Sequence, residues 1–444
     1  MSSINFTVSP SRTLRGRLRV PGDKSISHRA VMLGSLAEGT TRVSGFLEGE
    51  DCLATLNAFR AMGVNIEGPQ DGNVIIHGVG LQGLQAPQAP LYMGNSGTSM
   101  RLLAGLLAGQ AFASVLTGDA SLSRRPMQRV TEPLTRMGAW LDTTASGTAP
   151  LHIHGGRTLQ GIDYVMPVAS AQVKSCLLLA GLYARGRTCV SEPAPTRDHT
   201  ERMLAGFGYP LDRQGNRICL QVGGRLQARV IEIPADISSA AFFMVGAGIA
   251  PAAEIILEHV GINPTRTGII AILKQMGADL TLCNEHQAGG EPVADIRVCP
   301  APLRGIRILA ELVPLAIDEF PAIFIAAACA EGQTVLTGAG ELRVKESDRI
   351  QVMADGLQAL GIAAHPTADG MIIQGGTLSG GEVDSQGDHR IAMAFAMAAL
   401  RAGGIIHIKD CANVNTSFPG FVELARGAGL NIGYNSSYTR LTGE

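Results

Sequence analysis

Basic side chains recur in this chain within or just after polar turns that precede apolar stretches. They are Lys24, Arg29, Arg101, Arg124, Arg125, Arg197 and Arg390. The planar guanidinium of Arg matches the oxygens of carboxylate and phosphate, whereas the Lys ammonium is a compact charge that can also exchange a proton. Because these cations are spread over several short motifs, they predict a ligand with more than one anionic group.

Acidic residues occur in two settings that suggest proton transfer. Asp318 and Glu319 interrupt the apolar run LVPLAIDEFPAIFIAAACA, where a carboxylate is costly unless it is paired or takes part in chemistry such as accepting a proton. The segment ELRVKESDR crowds Lys345, Glu346, Asp348 and Arg349 into five positions. On spacing alone, a solvated helix face with local ion pairs is the favoured explanation of that segment, because charge runs usually are such faces.

Polar turns that contain Gly, Ser or Asp directly precede apolar helical patterns. They are PGDKSIS (21–27), GNSGTSM (94–100), ASAQ (169–172), PADISS (234–239) and GDHR (387–390). Free backbone N–H groups and the positive end of the helix dipole make such helix starts suitable for anions. Helix capping alone accounts for any single turn of this kind, since Ser, Asp and Asn are favoured caps. The cations close to several of them go beyond what capping requires.

A longer repeat indicates how these turns are arranged. An amphipathic helical segment that ends in Gly and leads into an alternating strand recurs six times, with glycines at Gly63, Gly138, Gly208, Gly277, Gly361 and Gly429. Each Gly is expected to take the left-handed conformation that ends a helix. Each repeat is therefore one helix-and-strand module. A chain of 444 residues exceeds what one core usually organises, so we expect two α/β domains of three modules each.

Several classes of protein are excluded by composition and by missing motifs. A net charge of −2 with one Trp argues against nucleic-acid binding. The longest apolar stretch is interrupted by Gly246, Gly248 and Pro251, which argues against a membrane span. No Walker A, G-x-S-x-G or H-E-x-x-H motif is present. The eight Cys lack zinc-ligand spacing and no secretory signal is visible, so we expect free thiols and a cytoplasmic protein.

Ten segments in family order resemble the 5-enolpyruvylshikimate-3-phosphate synthases, the 3-phosphoshikimate 1-carboxyvinyltransferases. They are LRVPGDKSISHRA, GNSGTSMR, GDASLSRRPM, PVASAQVKS, TRDHTE, NPTRTG, IDEFP, ELRVKESDR, GDHRIAM and TSFP. ASAQVKS and TRDHTE are similar to the bacterial second class of that family. The resemblance implies a two-domain inside-out α/β barrel of the enolpyruvyl transferase type, each domain with three βαβαββ-like repeats. One domain would hold residues 22–236 and the other residues 1–21 plus 237–444.

The same resemblance implies the site and the reaction. Positions that match contacts to shikimate 3-phosphate are Lys24, Ser25, Arg29, Ser170, Ala171, Gln172, Arg197, Asp318 and Lys345. Positions that match contacts to phosphoenolpyruvate are Lys24, Gly97, Arg125, Gln172, Arg349 and Arg390. The enolpyruvyl group would move to the 5-hydroxyl of shikimate 3-phosphate with release of phosphate. Asp318 is the candidate base, and Lys24 and Glu346 are the candidates for proton transfer at C3. No metal or organic cofactor is expected, and the protein is expected to act as a monomer.

One departure and two alternatives accompany the resemblance. Many members of the family carry Lys in the loop before TSFP, where this chain has Asn415, so Asn415 is left out of the predicted site. One alternative is the UDP-N-acetylglucosamine enolpyruvyl transferases, which share the fold and the donor. That family typically places a reactive Cys or Asp in a loop of the first half. Residues 110–126 contain no Cys, and Asp119 alone is a weak substitute. The other alternative is a catalytically silent anion-binding protein, which would have no need of Asp318, Lys24 and Glu346 together.

Overall fold

The computed structural model describes residues 3–437, which divide into two compact units. One, here called the inserted unit, comprises Gly22–Pro234 and the short segment Gln287–Glu291. The other, here called the terminal unit, comprises residues 3–21, Ala235–His286 and 292–437. The chain thus passes between the units after Pro21 and after Pro234, and again at both ends of the segment 287–291. The segment 287–291 had no counterpart among the sequence predictions.

The terminal unit begins with two strands, and the inserted unit follows with six helices and twelve strands. The first two strands are β1 (Ser3–Val8) and β2 (Thr13–Leu18). The helices of the inserted unit are α1 (Lys24–Leu36), α2 (Glu50–Ala61), α3 (Gly97–Ala108), α4 (Gln128–Arg136), α5 (Ala171–Gly181) and α6 (His199–Gly206). Its strands are β3 (Glu38–Ser44), β4 (Asn65–Gln70), β5 (Asn73–Val79), β6 (Leu91–Tyr92), β7 (Ser114–Thr117), β8 (Leu141–Asp142), β9 (Leu151–Ile153), β10 (Asp163–Val165), β11 (Thr188–Ser191), β12 (Leu211–Gln214), β13 (Arg217–Leu220) and β14 (Val230–Glu232).

The remainder of the chain supplies the helices and the other strands of the terminal unit. Its helices are α7 (Ile237–Ile249), α8 (Gly268–Gln275), α9 (Phe320–Ala328), α10 (Arg349–Ala359), α11 (His389–Ala398), α12 (Val414–Ser417) and α13 (Phe421–Gly427). Its further strands are β15 (Ala252–Gly261), β16 (Asp279–Ala288), β17 (Glu291–Cys299), β18 (Gln333–Leu336), β19 (Ala363–Thr367), β20 (Gly370–Gln374), β21 (Gly381–Asp384), β22 (Ile406–Lys409) and β23 (Ile432–Ser437).

The strands form six small sheets among the described residues, one for each predicted module. In the inserted unit the orders are β14-β3-β5-β4, β6-β7-β9-β8 and β10-β11-β13-β12. In the terminal unit they are β16-β17-β15-β2, β18-β20-β19 and β21-β22-β1-β23. The runs β6-α3-β7-α4-β8-β9 and β10-α5-β11-α6-β12-β13 each show the predicted βαβαββ pattern, with a helical crossover between the two parallel strands.

Three modules take a strand from a distant part of the chain. β14 pairs in parallel with β3, β2 pairs in parallel with β15, and β1 lies between β22 and β23. The repeating sequence pattern did not reveal these strands, because each is separated from its module by a long stretch of chain. Of the three, β2 lies next to the passage at Pro21 and β14 lies next to the passage at Pro234, whereas β1 precedes β2 in the chain.

The six predicted glycines end helices in the left-handed conformation, which confirms the prediction. Their φ angles are 86° at Gly63, 94° at Gly138, 84° at Gly208, 94° at Gly277, 85° at Gly361 and 112° at Gly429. Such a φ is energetically unfavourable for an L-residue with a side chain, whereas Gly adopts it without that cost. The glycines therefore let the outer helix of each module turn directly into the next strand.

Each unit has its own hydrophobic core, in which the central helices are enclosed. Every residue of α7, α9 and α11 is buried in the terminal unit, and α3 is buried along nearly its whole length in the inserted unit. Helices of this kind are apolar on all sides, so they show no amphipathic pattern. None of the helices between Ser3 and Ser437 combines the length and apolar character needed to cross a bilayer.

The cysteines differ in one respect from the prediction. Cys189 on β11 and Cys219 on β13 stand directly opposite each other in an antiparallel pair and are joined by a disulfide. The expectation of eight free thiols is therefore wrong for this pair, because opposite positions on neighbouring strands bring distant residues into bonding range. The other six cysteines are free. Within residues 3–437, no group of three or more His, Cys, Asp or Glu is arranged to hold a metal ion.

Two glycines at the end of α6 offer a matched test of the left-handed helix ends. Gly208→Ala is expected to lower the free energy of unfolding by about 1–2 kcal/mol, because an L-residue must then adopt a φ of 84°. Its control, Gly206→Ala, lies in the helix with no atom within 4 Å of an added Cβ. That variant should gain about 0.4–1 kcal/mol. Urea denaturation of both variants measures the difference, and equal stabilities would contradict the interpretation.

Candidate active site

Helices α1, α3 and α5 of the inserted unit each start with a side-chain cap. The carboxylate of Asp23 accepts from the backbone N–H of Ile26 at 2.9 Å, the Ser96 hydroxyl from Ser99 at 3.1 Å, and the Ser170 hydroxyl from Val173 at 3.4 Å. These caps belong to three of the polar turns singled out in the sequence. The first turns of the three helices contact one another, as described next, so the helices begin at the same end of the unit.

A chain of buried hydrogen bonds joins α1 to the start of α3. His28 Nδ1 lies 2.8 Å from Thr55 Oγ1, which lies 2.7 Å from Ser99 Oγ, and this hydroxyl donates to Ser96 Oγ at 2.7 Å. Burial lowers the pKa of His28 well below its ordinary value, and the nearby positive charges of Lys24 and Arg29 lower it further. The neutral ring thus helps to fix the cap of α3 without adding charge.

Two guanidinium groups enclose the first residue of α3. An added Cβ at Gly97 would lie 2.9 Å from Arg101 Nη1 and 3.3 Å from Arg125 Nη1, so only Gly fits without displacing them. Arg101 Nη1 donates to Gln172 Oε1 at 2.6 Å, which ties α3 to the first turn of α5. Arg125 Nη2 donates to Asn95 Oδ1 at 2.5 Å. Gly97, Arg125 and Gln172, predicted from separate motifs, are therefore brought together.

Lys24 and Arg29 are held on the first two turns of α1. Lys24 Nζ lies 2.8 Å from Asp51 Oδ2, and both side chains are largely buried. Arg29 donates to Ser25 O at 2.8 Å, to Thr200 Oγ1 at 2.7 Å and to Ser175 Oγ at 2.8 Å. All three acceptors are neutral, so none of the hydrogen bonds that fix the Arg29 side chain is an ion pair.

The electrostatic setting of Arg29 is unusual for an arginine. Burial, with a smaller contribution from the positive charge of Arg197, lowers the pKa of Arg29 to about 10 against the opposing effects of the Glu201 and Asp23 carboxylates. Burial makes the charged form of this guanidinium costly, so an anion that binds beside it stabilises the charged form. Arg197 itself is half-buried in the segment between β11 and α6. Its influence on Arg29 indicates that the two cations lie near each other.

Arg349 organises the candidate residues of the terminal unit. This almost completely buried side chain donates to Asp388 Oδ2 at 2.7 Å and to Glu346 Oε2 at 2.6 Å, and it lies 3.4 Å from Asp318 Oδ1. Burial lowers its pKa, but the carboxylates of Asp388, Glu346 and Asp318 outweigh burial and raise it above the ordinary value. Arg349 therefore stays charged and draws acidic residues from three segments to one place.

Asp388 links this cluster to the start of α11. Its Oδ1 atom accepts from the backbone N–H of Arg390 at 2.9 Å, and its Oδ2 atom accepts from Ser347 Oγ at 3.1 Å as well as from Arg349. Arg390 Nη1 donates to the backbone oxygen of Asp318 at 3.2 Å. Lys345 Nζ lies 3.5 Å from Asp318 Oδ1. The predicted residues of the terminal unit thus form one contiguous group.

The two adjacent acids Asp318 and Glu319 have different surroundings. Glu319 is 1% exposed, its carboxylate accepts from Ser238 Oγ, and it lies 3.6 Å from Arg266 Nη2. The Asp318 side chain is 13% exposed. The partners of Glu319 come from α7 and from the segment before α8, so its carboxylate connects two central helices. Of the two acids, Asp318 is the one that a bound molecule can reach.

The sequence left several functional neighbours unassigned. Asp388 and Arg101 stood in turns that had been singled out, but nothing in the local pattern marked them as partners of Arg349 and Gln172. Asp51, in the first turn of α2, gave no signal in the sequence. The motif SRRP by itself did not distinguish Arg124 from Arg125, and the family resemblance selected Arg125. Arg124 is exposed, whereas Arg125 is 7% exposed. Asn415 is exposed and lines a cavity of roughly 250 Å³ with Cys411 and Tyr434.

Comparison with known proteins places the chain among characterised sequences. Residues 8–424 match the family model described as EPSP synthase (3-phosphoshikimate 1-carboxyvinyltransferase). The chain is 73% identical over 427 residues to the 3-phosphoshikimate 1-carboxyvinyltransferase of Nitrosococcus oceani, covering 96% of each chain. It is 71% identical to the protein of the same name from Methylococcus capsulatus, over 96% of this chain and 98% of the other.

Solved structures support the same relationship. An EPSP synthase from Acinetobacter baumannii matches with a TM-score of 0.88 and 61% identity, over 97% of this chain and 100% of that one. The enolpyruvyl transferase NikO from Streptomyces tendae has a TM-score of 0.78 at 16% identity, which shows a shared fold only. The predicted enolpyruvyl transferase fold is therefore confirmed. The chain belongs to the EPSP synthase (3-phosphoshikimate 1-carboxyvinyltransferase) family.

Proposed function

We propose that this protein transfers the enolpyruvyl group of phosphoenolpyruvate to the 5-hydroxyl of shikimate 3-phosphate and releases phosphate, a step in aromatic amino-acid biosynthesis. The observation that carries the proposal is the group formed by Asp318, Lys345, Glu346, Arg349 and Arg390 in a member of this family. It combines an accessible carboxylate with cations suited to phosphate and carboxylate. A protein that only bound anions would not need the acids.

The charges of the substrates match the charges of both units. The two substrates together carry two phosphates and two carboxylates, whereas the chain as a whole has a net charge of −2. Affinity for such ligands must therefore come from local cations rather than from the overall field. The inserted unit supplies Lys24, Arg29, Arg125 and Arg197, and the terminal unit supplies Lys345, Arg349 and Arg390.

We assign the substrate contacts as the family resemblance implies. In this assignment shikimate 3-phosphate is bound by Lys24, Ser25, Arg29, Ser170, Ala171, Gln172, Arg197, Asp318 and Lys345. Phosphoenolpyruvate is bound by Lys24, Gly97, Arg125, Gln172, Arg349 and Arg390. Support comes from the capped starts of α3 and α5, where Gly97, Ala171 and Gln172 offer backbone N–H groups at the positive end of a helix. Most contacts to shikimate 3-phosphate would thus belong to the inserted unit.

Asp318 is proposed as the base that takes the proton of the 5-hydroxyl. The hydroxyl oxygen then forms a bond to C2 of phosphoenolpyruvate while a proton is added at C3, which gives a tetrahedral intermediate. A general base must reach the proton that it removes, and Asp318 satisfies this condition better than the enclosed Glu319. Lys345 and Arg349 lie beside the carboxylate and can hold it in place.

Lys24 and Glu346 are proposed to share proton delivery to C3 and proton removal from C3. Removal of a C3 proton from the intermediate, with departure of phosphate, restores the double bond in the product. Both side chains are partly accessible, at 17% for Lys24 and 22% for Glu346, and each lies beside an oppositely charged partner. The reaction needs no metal or organic cofactor in this scheme, because phosphate is already a good leaving group. We further propose a cytoplasmic monomer with no nucleic-acid partner.

Phosphate release from phosphoenolpyruvate by the purified protein tests the proposal. Shikimate 3-phosphate and UDP-N-acetylglucosamine are offered separately as acceptors. Release with shikimate 3-phosphate alone is the expected outcome. Release with the nucleotide sugar alone would assign the protein to the other enolpyruvyl transferase branch, and release with neither acceptor would indicate a silent binding protein.

Replacement of the proposed base gives the first prediction. Asp318→Asn is expected to lower kcat by roughly 10²–10⁴, the usual contribution of a general base, while binding of both substrates is largely kept. The control is Asp355→Asn on α10, whose carboxylate accepts from Gln351 on the exposed side of that helix. Steady-state kinetics should show an unchanged kcat for the control. A kcat near that of the parent in the Asp318 variant would remove Asp318 from the mechanism.

The adjacent pair Arg124 and Arg125 gives the second prediction. Arg125→Ala should mainly raise the KM for phosphoenolpyruvate, by about 10-fold or more, because a charge-assisted contact is worth about 1.5–3 kcal/mol. Arg124→Ala removes the same charge from an exposed neighbour and should change KM by less than about 2-fold. Initial rates at varied phosphoenolpyruvate distinguish the two variants. Equal effects would mean that only the overall charge matters.

A further inference from the structure

The ammonium group of Lys174 lies buried beneath the first turn of α5. Its side chain is 0% exposed, and Nζ lies 2.7 Å from Glu201 Oε1 and 3.0 Å from Glu192 Oε2. Nζ also donates to the backbone oxygen of Thr196 at 3.5 Å. Neither Lys174 nor its two acidic partners belongs to the substrate contacts or proton-transfer groups assigned above. The core of this unit is otherwise packed with apolar side chains. The burial of one cation with two carboxylates there therefore requires an explanation.

The partners of Lys174 bracket the segment that carries Arg197. Glu192 directly follows β11, Thr196 precedes Arg197, and Glu201 lies in the first turn of α6. Thr196 Oγ1 donates to Glu192 Oε2 at 2.6 Å. Glu192 is also fixed through its backbone, since its N–H donates to Asn216 O at 3.0 Å. One ammonium therefore fastens both ends of the segment 192–201 to α5.

The same network reaches Arg29. Ser175 follows Lys174, Thr200 precedes Glu201, and the Thr200 hydroxyl donates to Ser175 Oγ at 2.7 Å. Both hydroxyl oxygens accept from the Arg29 guanidinium. The starts of α1 and α5 and the segment 192–201 are thus joined around one buried cluster. Those three elements carry Arg29, Ser170, Ala171, Gln172 and Arg197.

Stability alone is a weak reason for such a cluster. A buried ion network is often no more stabilising than apolar residues of similar volume, whereas loss of one partner leaves a costly buried charge. Apart from Lys174, the Glu201 carboxylate has no hydrogen-bond partner in residues 3–437. We propose that Lys174, Glu192 and Glu201 are positioning residues that hold Arg197 and Arg29 in the geometry required to bind shikimate 3-phosphate. This inference rests on the proposed function.

Variants that separate charge balance from positioning test the inference. Lys174→Met alone leaves two uncompensated buried carboxylates and should lower the Tm. The triple variant Lys174→Met, Glu192→Gln, Glu201→Gln removes all three charges and should recover most of that loss. The control, Arg187→Met with Asp212→Asn, removes an exposed ion pair of the same unit that contacts no proposed site residue. Thermal unfolding and steady-state kinetics are measured for each full-length protein.

The expected result is a recovered Tm without recovered substrate affinity. In the triple variant the KM for shikimate 3-phosphate should stay about 10–100-fold above that of the parent, because a charge-assisted contact that loses its geometry weakens binding by about that factor. Its kcat and its KM for phosphoenolpyruvate should change by less than about 3-fold, the signature of lost ground-state binding. The control should match the parent. A KM for shikimate 3-phosphate within about 2-fold of the parent in the folded triple variant would overturn the inference.

A second variant covers the case in which the triple variant does not fold. Glu192→Gln keeps the buried ion pair of Lys174 and Glu201. It weakens only the attachment of the first part of the segment, from residue 192 to Thr196. It should raise the KM for shikimate 3-phosphate by about 3-fold or more at unchanged kcat, and an unchanged KM would overturn the inference. Turnover of the parent with shikimate 3-phosphate reports on the proposed function separately. Failure of the parent refutes that function, whereas failure of the variants refutes only the positioning role.

Discussion

The burial of the central helices is the constraint on which the rest of this structure depends. In α7, α9 and α11 every residue is buried, so these helices have no solvent-facing side on which polar groups can be placed. Polar chemistry is therefore confined to their first turns, where backbone N–H groups lack helical partners and need caps. Asp236 and Asp388 cap α7 and α11 through their carboxylates, and Glu319 stands at the corresponding position before α9 without a cap hydrogen bond. The candidate site of each unit follows from this arrangement, since its charged residues gather around capped helix starts.

Buried charges then determine which of the gathered residues can act. Arg349 is surrounded by three carboxylates, and this pairing keeps it charged while it brings Glu346 and Asp318 together. Glu319 is held by Arg266 and Ser238 and serves the packing of the helices. In the inserted unit, Lys174 has a comparable role with Glu192 and Glu201. In both units, a buried ion network holds groups that we assign to substrates, and in the terminal unit Arg349 is itself one of them.

The modular repeat explains how one local rule yields six sheets. Each outer helix ends in a left-handed Gly, after which five modules continue into an antiparallel hairpin and the sixth into β23, which pairs with β1. The modules nevertheless depend on the whole chain, because β1, β2 and β14 fill places in sheets whose other strands are far away in sequence. Of these strands, β2 and β14 lie next to Pro21 and Pro234, at two of the places where the chain passes between the units.

The sequence by itself determined the features that depend on neighbouring residues. Gly208 and its five equivalents revealed the helix ends, Asp23 and Ser96 the helix starts, and the ordered motifs the family and the reaction. Only the tertiary structure decided which of two similar neighbours is enclosed, as with Arg124 and Arg125 or Asp318 and Glu319. It also revealed the disulfide and the network of Lys174. The physical reason is that caps and turns are set by local backbone geometry, whereas burial and ion pairing depend on residues that the fold brings from afar.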